Sequence, residues 1–198
     1  MSNDPSQKIS KNNLTNVHED GFSLIEAVVA IFIMTVGLIG TAAALGYAIH
    51  YGTISRNVTG AKSIIFAQIE EIEALRNSRR LDFKQIANIG GVDNTNTPAV
   101  FTGFSTGFQE LSLNPGPDGV NGTDDDLMDD GVDNTYGTSD DFENPALVRS
   151  GYTRQITVTN LSGSMKKIEI RVRYLGSGGA VGELAGVCYL NDEGRLTR

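Results

Sequence analysis

The feature that most constrains this chain is a mostly aliphatic run, Ala27–Ser55, that contains no Asp, Glu, Lys or Arg. A helix needs about 20 predominantly apolar residues to cross a bilayer, so we expect residues 24–50 to span a membrane. Glu26 lies at the edge of this run. A charge at the bilayer centre costs about 2.5–3.5 kcal/mol, and less near the interface, so an ionisable group there usually has a partner. The helix N-terminus and headgroup water would also satisfy it, and position alone does not separate these two interpretations.

The residues before the run form an unusual leader. Residues 1–20 are polar, rich in Ser and Asn, and contain no apolar stretch, which is typical of an unstructured segment. A conventional secretory signal places basic residues next to its apolar core. Here Lys8 and Lys11 are remote, and the acidic pair Glu19-Asp20 adjoins the apolar part instead.

The sequence Gly21-Phe22-Ser23-Leu24-Ile25-Glu26, followed by the apolar run, closely resembles the prepilin N-terminal motif of type IV pilins and type II secretion pseudopilins. In that family a prepilin peptidase cuts after the glycine, and the new terminal residue, usually Phe, is N-methylated. The resemblance implies that the leader 1–21 is removed by cleavage between Gly21 and Phe22, and that Phe22 is methylated. It also implies that Glu26 pairs with the terminal amine of a neighbouring subunit.

Two details qualify the resemblance. Family leaders commonly carry Lys or Arg just before the glycine, and this chain has Glu19-Asp20, which weakens the positive-inside signal. Its membrane orientation is therefore implied by the resemblance rather than by loop charge. The phrase Val36-Gly37-Leu38-Ile39-Gly40 is similar to PilV-type minor pilins and to short-headed pseudopilins, which implies a minor subunit.

The apolar pattern continues beyond the run as one face of a helix. Large or small apolar residues recur at steps of three and four, at Ile54, Val58, Ala61, Ile65, Ile69, Ile72 and Leu75. This spacing predicts an amphipathic continuation of the same helix to about Arg80. We therefore expect a helix over residues 22–80 whose first half spans a membrane and whose second half packs on a head formed by residues 81–198.

The head contains three predicted strands, at Tyr152–Thr159, Ile168–Tyr174 and Leu184–Leu190. The middle one alternates strictly between apolar and charged residues, which is the pattern of a half-buried strand. Residues 82–113 show no helical period, and we expect a loop with at most one strand there. The predicted class is α+β: a pilin-like fold with a long N-terminal helix packed on a small antiparallel sheet.

An acidic insert, residues 114–145, contains ten acids and no Lys or Arg. Within it Asp118–Asp126 aligns with Asp133–Asp141, since both read Asp-x-x-x-Gly-Thr-x-Asp-Asp. This pattern does not match an EF-hand, but it resembles calcium loops of some extracellular bacterial proteins, and calcium takes six to eight oxygen ligands. The predicted ligands are Asp118, Asp124, Asp126, Asp133, Asp140 and Asp141. A solvated, disordered acidic loop is the competing interpretation.

Composition narrows the function classes. The net charge is −8, and no Lys or Arg lies between Gln85 and Val148, so direct binding to a phosphate backbone is not expected. No nucleophile–base arrangement or zinc-ligand spacing is present, so we do not expect an enzyme. No cofactor is expected to be required, and calcium is the one candidate ligand. The lone cysteine, Cys188, excludes an intrachain disulfide and is expected to act as a small apolar residue.

The resemblance implies a minor structural subunit of a type IV pilus or a type II secretion pseudopilus. Its partners would be other pilin or pseudopilin subunits, prepilin peptidase and the inner-membrane assembly platform. The chain would first be a single-pass protein of a bacterial inner membrane and later part of a periplasmic or extracellular filament. The first competing hypothesis is a secreted or membrane-anchored calcium-binding protein with an ordinary signal sequence cut near Ala42–Ala44. The second is an uncleaved single-span sensor or enzyme with a periplasmic domain, although the lack of catalytic residues argues against an enzyme.

Overall fold

The computed structural model describes residues 21–95, 100–112, 114–176 and 179–192. The predicted leader lies outside these ranges except for Gly21. One long helix, α1 (Leu24–Asn77), is followed by six strands. The strands are β1 (Gln109–Ser112), β2 (Met128–Asp129), β3 (Phe142–Glu143), β4 (Val148–Ser162), β5 (Met165–Leu175) and β6 (Val181–Asn191), and a short 3-10 turn, Pro145–Leu147, precedes β4. This order confirms the predicted α+β class.

The chain groups into two compact units, residues 1–47 and 48–198. In the first unit, every described residue from Gly21 to Tyr47 is exposed, although most of these side chains are apolar. Over the described part of the chain, α1 is the one helix long and apolar enough to cross a membrane. A helix that is apolar on all sides is stable only in an apolar environment, so this part of α1 fits the predicted membrane anchor.

In the second unit, α1 is amphipathic as predicted. It buries one stripe of residues: Ala61, Ile64, Ile65, Gln68, Ile72 and Leu75. The helix ends at Asn77 rather than near Arg80. Arg79 adopts a left-handed conformation with φ of 60°, and the amides of Arg80 and Leu81 donate to the carbonyl of Leu75. This hydrogen-bonded reversal terminates the helix three residues before the predicted end.

A four-stranded antiparallel sheet in the order β1-β4-β5-β6 packs on this part of α1. The strict alternation predicted for β5 is present: Ile168, Ile170 and Val172 are fully buried, whereas the intervening charged residues lie on the outer face. The sheet approaches the helix closely at Gly186, where an added Cβ atom would overlap Cγ2 of Ile65. A second, two-stranded sheet, β2-β3, lies inside the acidic insert.

The described residues between Leu81 and Ser105 complete the core largely without regular secondary structure. Phe101 and Phe104 are buried and pack edge to face, with ring centroids 5.0 Å apart. Ile86 is fully buried in the same cluster. The prediction of a loop with at most one strand in 82–113 is confirmed, because β1 is the one strand among the described residues of that segment.

Candidate functional site

The predicted cleavage bond lies just before the start of α1. Gly21, Phe22 and Ser23 are not helical, and α1 begins at Leu24. The Phe22 side chain is 80% exposed, and a Cβ atom at Gly21 would meet nothing within 4 Å. A protease must bind an extended, accessible backbone. The bond between Gly21 and Phe22 is exposed and precedes the first helical residue, so no helical turn has to unwind before a protease reaches it.

Ser23 begins the helix as its N-cap. Its Oγ accepts a hydrogen bond from the Glu26 amide at 3.2 Å, and its carbonyl accepts from the Ala27 amide at 3.1 Å. Ser23 and Glu26 therefore occupy the first and last positions of a Ser-x-x-Glu capping sequence. The motif residues thus have a local structural role as well, since the N-cap defines where the helix starts and where the extended backbone before it ends.

The Glu26 carboxylate lies in the first turn of α1, where the helix dipole favours negative charge. Its residue is exposed, and no ion pair joins it to any other residue that the structure describes. The helix terminus therefore provides part of the stabilisation that a carboxylate in an apolar setting needs, and no described residue of this chain supplies a cationic partner.

The acidic insert is a structural repeat with a period of 15 residues. Each unit begins with a side-chain oxygen that accepts a hydrogen bond from the backbone amide two residues later. Asn114 accepts from Gly116, Asp129 from Gly131, and Asn144 from Ala146. The first two instances open full units, and the third ends the array. The repeat therefore extends beyond the alignment predicted from sequence, which covered 118–126 and 133–141.

Corresponding residues of the two units make the same hydrogen bonds. Asp118 accepts the Val120 amide at 2.7 Å, and Asp133 accepts the Thr135 amide at 2.9 Å. Three further hydrogen bonds of the first unit are repeated in the second. The Asp118 amide donates to the Asp125 carboxylate, as the Asp133 amide does to Asp140. The Gly122 amide donates to Asp126 and the Thr123 hydroxyl to Asp125, as the Gly137 amide does to Asp141 and the Thr138 hydroxyl to Asp140. Most of the aspartates in the repeated sequence therefore accept hydrogen bonds from the backbone of their own unit.

The first unit is docked on the head through a buried polar network. Oδ2 of Asp126 lies 2.9 Å from Nη2 of Arg154, with side chains 4% and 5% exposed. Nη1 of Arg154 donates to the side-chain oxygen of Gln68 on α1. Glu71, also on α1, accepts the backbone and side-chain amides of Asn121 at 3.0 and 2.9 Å. The network therefore connects α1, β4 and the insert.

Asp126, a predicted calcium ligand, has a different role in this arrangement. Its two oxygens accept from the Gly122 amide, Arg154, and both the amide and the hydroxyl of Thr123. Burial nevertheless raises the pKa of Asp126 above its ordinary value, against the opposing effect of the Gly122 amide and the Arg154 guanidinium. This ion pair was not predicted from the sequence. The signal for it was Arg154, which lies at an inward position of the predicted strand Tyr152–Thr159, because a buried arginine needs an acid opposite it.

Asp118 is the acidic residue with an unsatisfied oxygen. Its Oδ1 accepts from Val120, whereas its Oδ2 is buried without a hydrogen-bond partner. Burial, together with the carboxylates of Asp125 and Asp126, raises the pKa of Asp118 to about 7. Within the described ranges, no group of three or more His, Cys, Asp or Glu residues is arranged to hold a metal ion. The calcium site therefore stays a prediction.

The second unit lacks the docking contacts. Asp133, Asn134 and Thr135 are exposed, whereas their counterparts in the first unit, Asp118, Gly119 and Val120, are half-buried or buried. Asp141 accepts the Gly137 amide at 2.7 Å, as Asp126 accepts that of Gly122, but no arginine pairs with it among the described residues. The two copies therefore share a local fold and differ in their attachment to the head.

Cys188 lies on the inward face of β6 and is half-buried. It packs against the core cluster, as expected for a small apolar residue. Burial, with a smaller contribution from Glu73, raises the pKa of its thiol. A raised pKa disfavours the thiolate, which is the reactive form, so this cysteine is suited to packing.

Comparison with known proteins gives one match. A family model for the prokaryotic N-terminal methylation motif matches residues 17–42. No curated protein and no solved structure matches the chain. The match covers Gly21, Phe22 and Glu26 and the first part of α1. The chain therefore carries the type IV pilin N-terminal methylation signal, which indicates a processed subunit of the pilin or pseudopilin type.

Proposed function

We propose that this chain is a minor structural subunit of a type IV pilus or a type II secretion pseudopilus. Prepilin peptidase cuts it between Gly21 and Phe22, and it then joins other pilin-type subunits in a filament. The observation that carries the proposal is the match of residues 17–42 to the methylation motif. The exposed bond before α1 and the apolar first part of α1 support it.

Each motif residue has a role in this function. Gly21 presents no side chain to the peptidase, so the scissile carbonyl is approachable. Hydrolysis leaves a free amine on Phe22, two residues before α1 begins, and this amine is the atom that is methylated. Glu26 of one subunit pairs with the amine of a neighbour, which neutralises both charges when the apolar helices leave the bilayer and pack together.

The mature N-terminus tests the processing step directly. Mass spectrometry of the protein recovered from its host is expected to show a chain that begins with N-methylated Phe22. A chain that begins near Leu45 would support an ordinary secreted protein with a signal peptide. An intact Met1 on the exported protein would support a single-span sensor, and either result would reject the proposal.

Glu26 tests the assembly step. We expect Glu26→Gln to be cut after Gly21 but to reach filaments at least tenfold less, because the neutral amide cannot neutralise an ammonium group. Glu70→Gln is the matched control, since Glu70 is an exposed glutamate further along the same helix. Filament-fraction immunoblots measure both. Equal incorporation of the two variants would show that Glu26 has no assembly role.

A second, independent proposal concerns calcium in the first unit of the insert. The buried and unpartnered Oδ2 of Asp118, with the Asp125 carboxylate beside it, supports this proposal. A divalent cation would neutralise this acidic pair, and oxygen ligands of this kind are those that calcium prefers. The proposal differs from the sequence prediction in centring on Asp118, because Asp126 is already paired with Arg154.

Calorimetric titration of the full mature chain in detergent micelles with calcium chloride tests this second proposal. We expect heat of binding for the wild type and a loss of it in Asp118→Asn. Asp133→Asn, at the equivalent position of the exposed second unit, is the matched control and should retain the signal. The absence of both heat and a calcium-dependent rise in Tm in the wild type would end the calcium proposal.

A further inference from the structure

Strand β6 forms an edge of the main sheet. It pairs with β5 in an unbroken register, which runs from the pair of Leu175 with Val181 to the pair of Met165 with Asn191. No strand in the described part of the chain pairs with its other side. In an antiparallel ladder the residues of a strand alternate between its two neighbours, so about half of the eleven β6 residues direct their backbone N–H and C=O groups outward.

This edge lacks the features that normally prevent strand pairing. Protected edges are short, bulged, or carry Lys, Pro or inward charges. β6 has eleven residues, no bulge, no proline and no lysine. Its one charged residue, Glu183, is paired within the chain, to Nε of Arg173 at 2.9 Å and to Nη1 of Arg171 at 3.8 Å. By contrast, the opposite edge strand, β1, has four residues and a shifted register.

Exposed apolar side chains adjoin the free edge. On the outer face of β6, Val181, Val187 and Tyr189 are all exposed, Tyr189 by 64%. On the inner side, Ile69 of α1 reaches to 3.9 Å from a Cβ atom built at Gly186. A strand added to β6 would therefore have apolar surface on both faces.

We propose that the free edge of β6 pairs with an extended strand of a neighbouring pilin-type subunit and that apolar side chains of that strand pack beside Val187 and Tyr189. The backbone groups of an open edge are satisfied by another extended strand. The added strand carries little charge, because Glu183 is already neutralised within this chain and the flanking surface is apolar. The inference rests on the proposed function, since the methylation motif supplies the class of neighbour.

A photo-crosslinker tests the contact in filaments assembled from the full chain. With Tyr189→p-benzoylphenylalanine, irradiation is expected to join this chain to another pilin-type subunit, and mass spectrometry should locate the adduct in a strand segment of that subunit. Failure to form any adduct with a subunit, in filaments that contain the chain, would overturn the inference while the proposed function stands.

Charge on the edge provides a second measurement. We expect Val187→Lys to lower incorporation into filaments at least tenfold, because a lysine on the edge would be buried against the added strand. Thr157→Lys is the matched control, since Thr157 lies on the same outer face of interior strand β4, opposite Glu169. Equal incorporation of the two variants would also overturn the inference. A chain that is never cut after Gly21 would reject the proposed function and this inference together.

Discussion

The guanidinium of Arg154 donates to the Asp126 carboxylate across 2.9 Å in an almost completely buried ion pair. Arg154 belongs to strand β4, and Asp126 belongs to the acidic insert. The side-chain oxygen of Gln68, on α1, accepts a hydrogen bond from the other terminal nitrogen of the same guanidinium. One side chain therefore connects the helix, the sheet and the insert, and its removal affects all three.

Replacing Arg154 tests the strength of this connection. We expect Arg154→Met to lower the free energy of unfolding by about 3–5 kcal/mol, because the change leaves a buried carboxylate without its counter-charge. Arg171→Met is the control: its ion pair with Glu169 lies on the outer face of the sheet, where the Arg171 side chain is 47% exposed, and such a surface pair is worth about 0–1 kcal/mol. Urea unfolding of the mature chain in detergent micelles, followed by circular dichroism, measures both. Similar losses in the two variants would contradict a special role for Arg154.

The raised pKa of Asp118 predicts how stability depends on pH. The folded carboxyl holds its proton up to about pH 7, whereas an ordinary aspartate loses it near 3.8. Between these values the folded state binds more protons than the unfolded state, so the free energy of unfolding falls as the pH rises through this window. We expect Asp118→Asn to unfold at a higher Tm than the wild type at pH 8.

Thermal unfolding of the mature chain at several pH values from 4 to 8 checks this prediction. Asp126 also has a raised pKa, so the Asp118→Asn variant should retain part of the pH dependence. Asp133→Asn, changed at the exposed equivalent position, should follow the wild-type curve. A wild-type Tm that rises steadily from pH 4 to 8 would have the wrong sign and would reject this account of Asp118.

The 15-residue period predicts that one unit of the insert is removable. Deleting residues 129–143 joins Met128 to Asn144, and Asn144 already makes the side-chain-to-backbone contact that Asp129 makes. We expect this variant to fold with a Tm within about 5 °C of the wild type, which corresponds to a change of roughly 1 kcal/mol.

Deleting residues 114–128 instead is the matched control, because it removes the same length of chain but also Asp126. Arg154 would then be buried without an acid, and we expect the head to be strongly destabilised. Circular dichroism and thermal unfolding compare the two deletions. If both variants unfold alike, the first unit does not anchor the insert.

The close approach of β6 to α1 predicts the effect of a single methyl group. We expect Gly186→Ala to lower the free energy of unfolding by about 1–3 kcal/mol, since the added Cβ would overlap the Ile65 side chain. Gly107→Ala is the control, because a Cβ atom there meets nothing within 4 Å. Urea unfolding measures both, and an unchanged Gly186→Ala would mean that the helix and sheet can move apart at no cost.

Local patterns in the sequence were sufficient to predict α1 and the three long strands β4, β5 and β6, whereas the two-residue strands β2 and β3 were not predicted. Strict alternation located β5, because its buried residues Ile168, Ile170 and Val172 recur with the period of a strand. The three- and four-residue spacing of apolar residues predicted the second part of α1. The end of α1 was predicted three residues late, because a left-handed Arg79 has no strong local signal.

Some features of the candidate site were likewise predicted from the sequence, and others were recognised only in the structure. Gly21, Phe22 and Glu26 form a contiguous motif, so their order alone predicted the processing signal that the family model matches. The insert's repeat was also visible in the sequence, although its true start at Asn114 was recognised only from the recurring side-chain contact. The aspartates that the two units share do not distinguish the attached unit from the exposed one. The difference lies at other positions, such as Val120, which is buried, and its counterpart Thr135, which is exposed.

By itself, the sequence determined the uncharged run of α1 with the motif before it, the alternating strands and the acidic repeat. Each of these depends on residues that are close together in the chain. The tertiary structure alone decided that Arg154 would meet Asp126, that Asp118 would be left with a buried free oxygen, and that β6 would be an open edge. These features depend on which distant segments come together. Burial and pairing between such segments follow from the packing of the whole head, which no local period encodes.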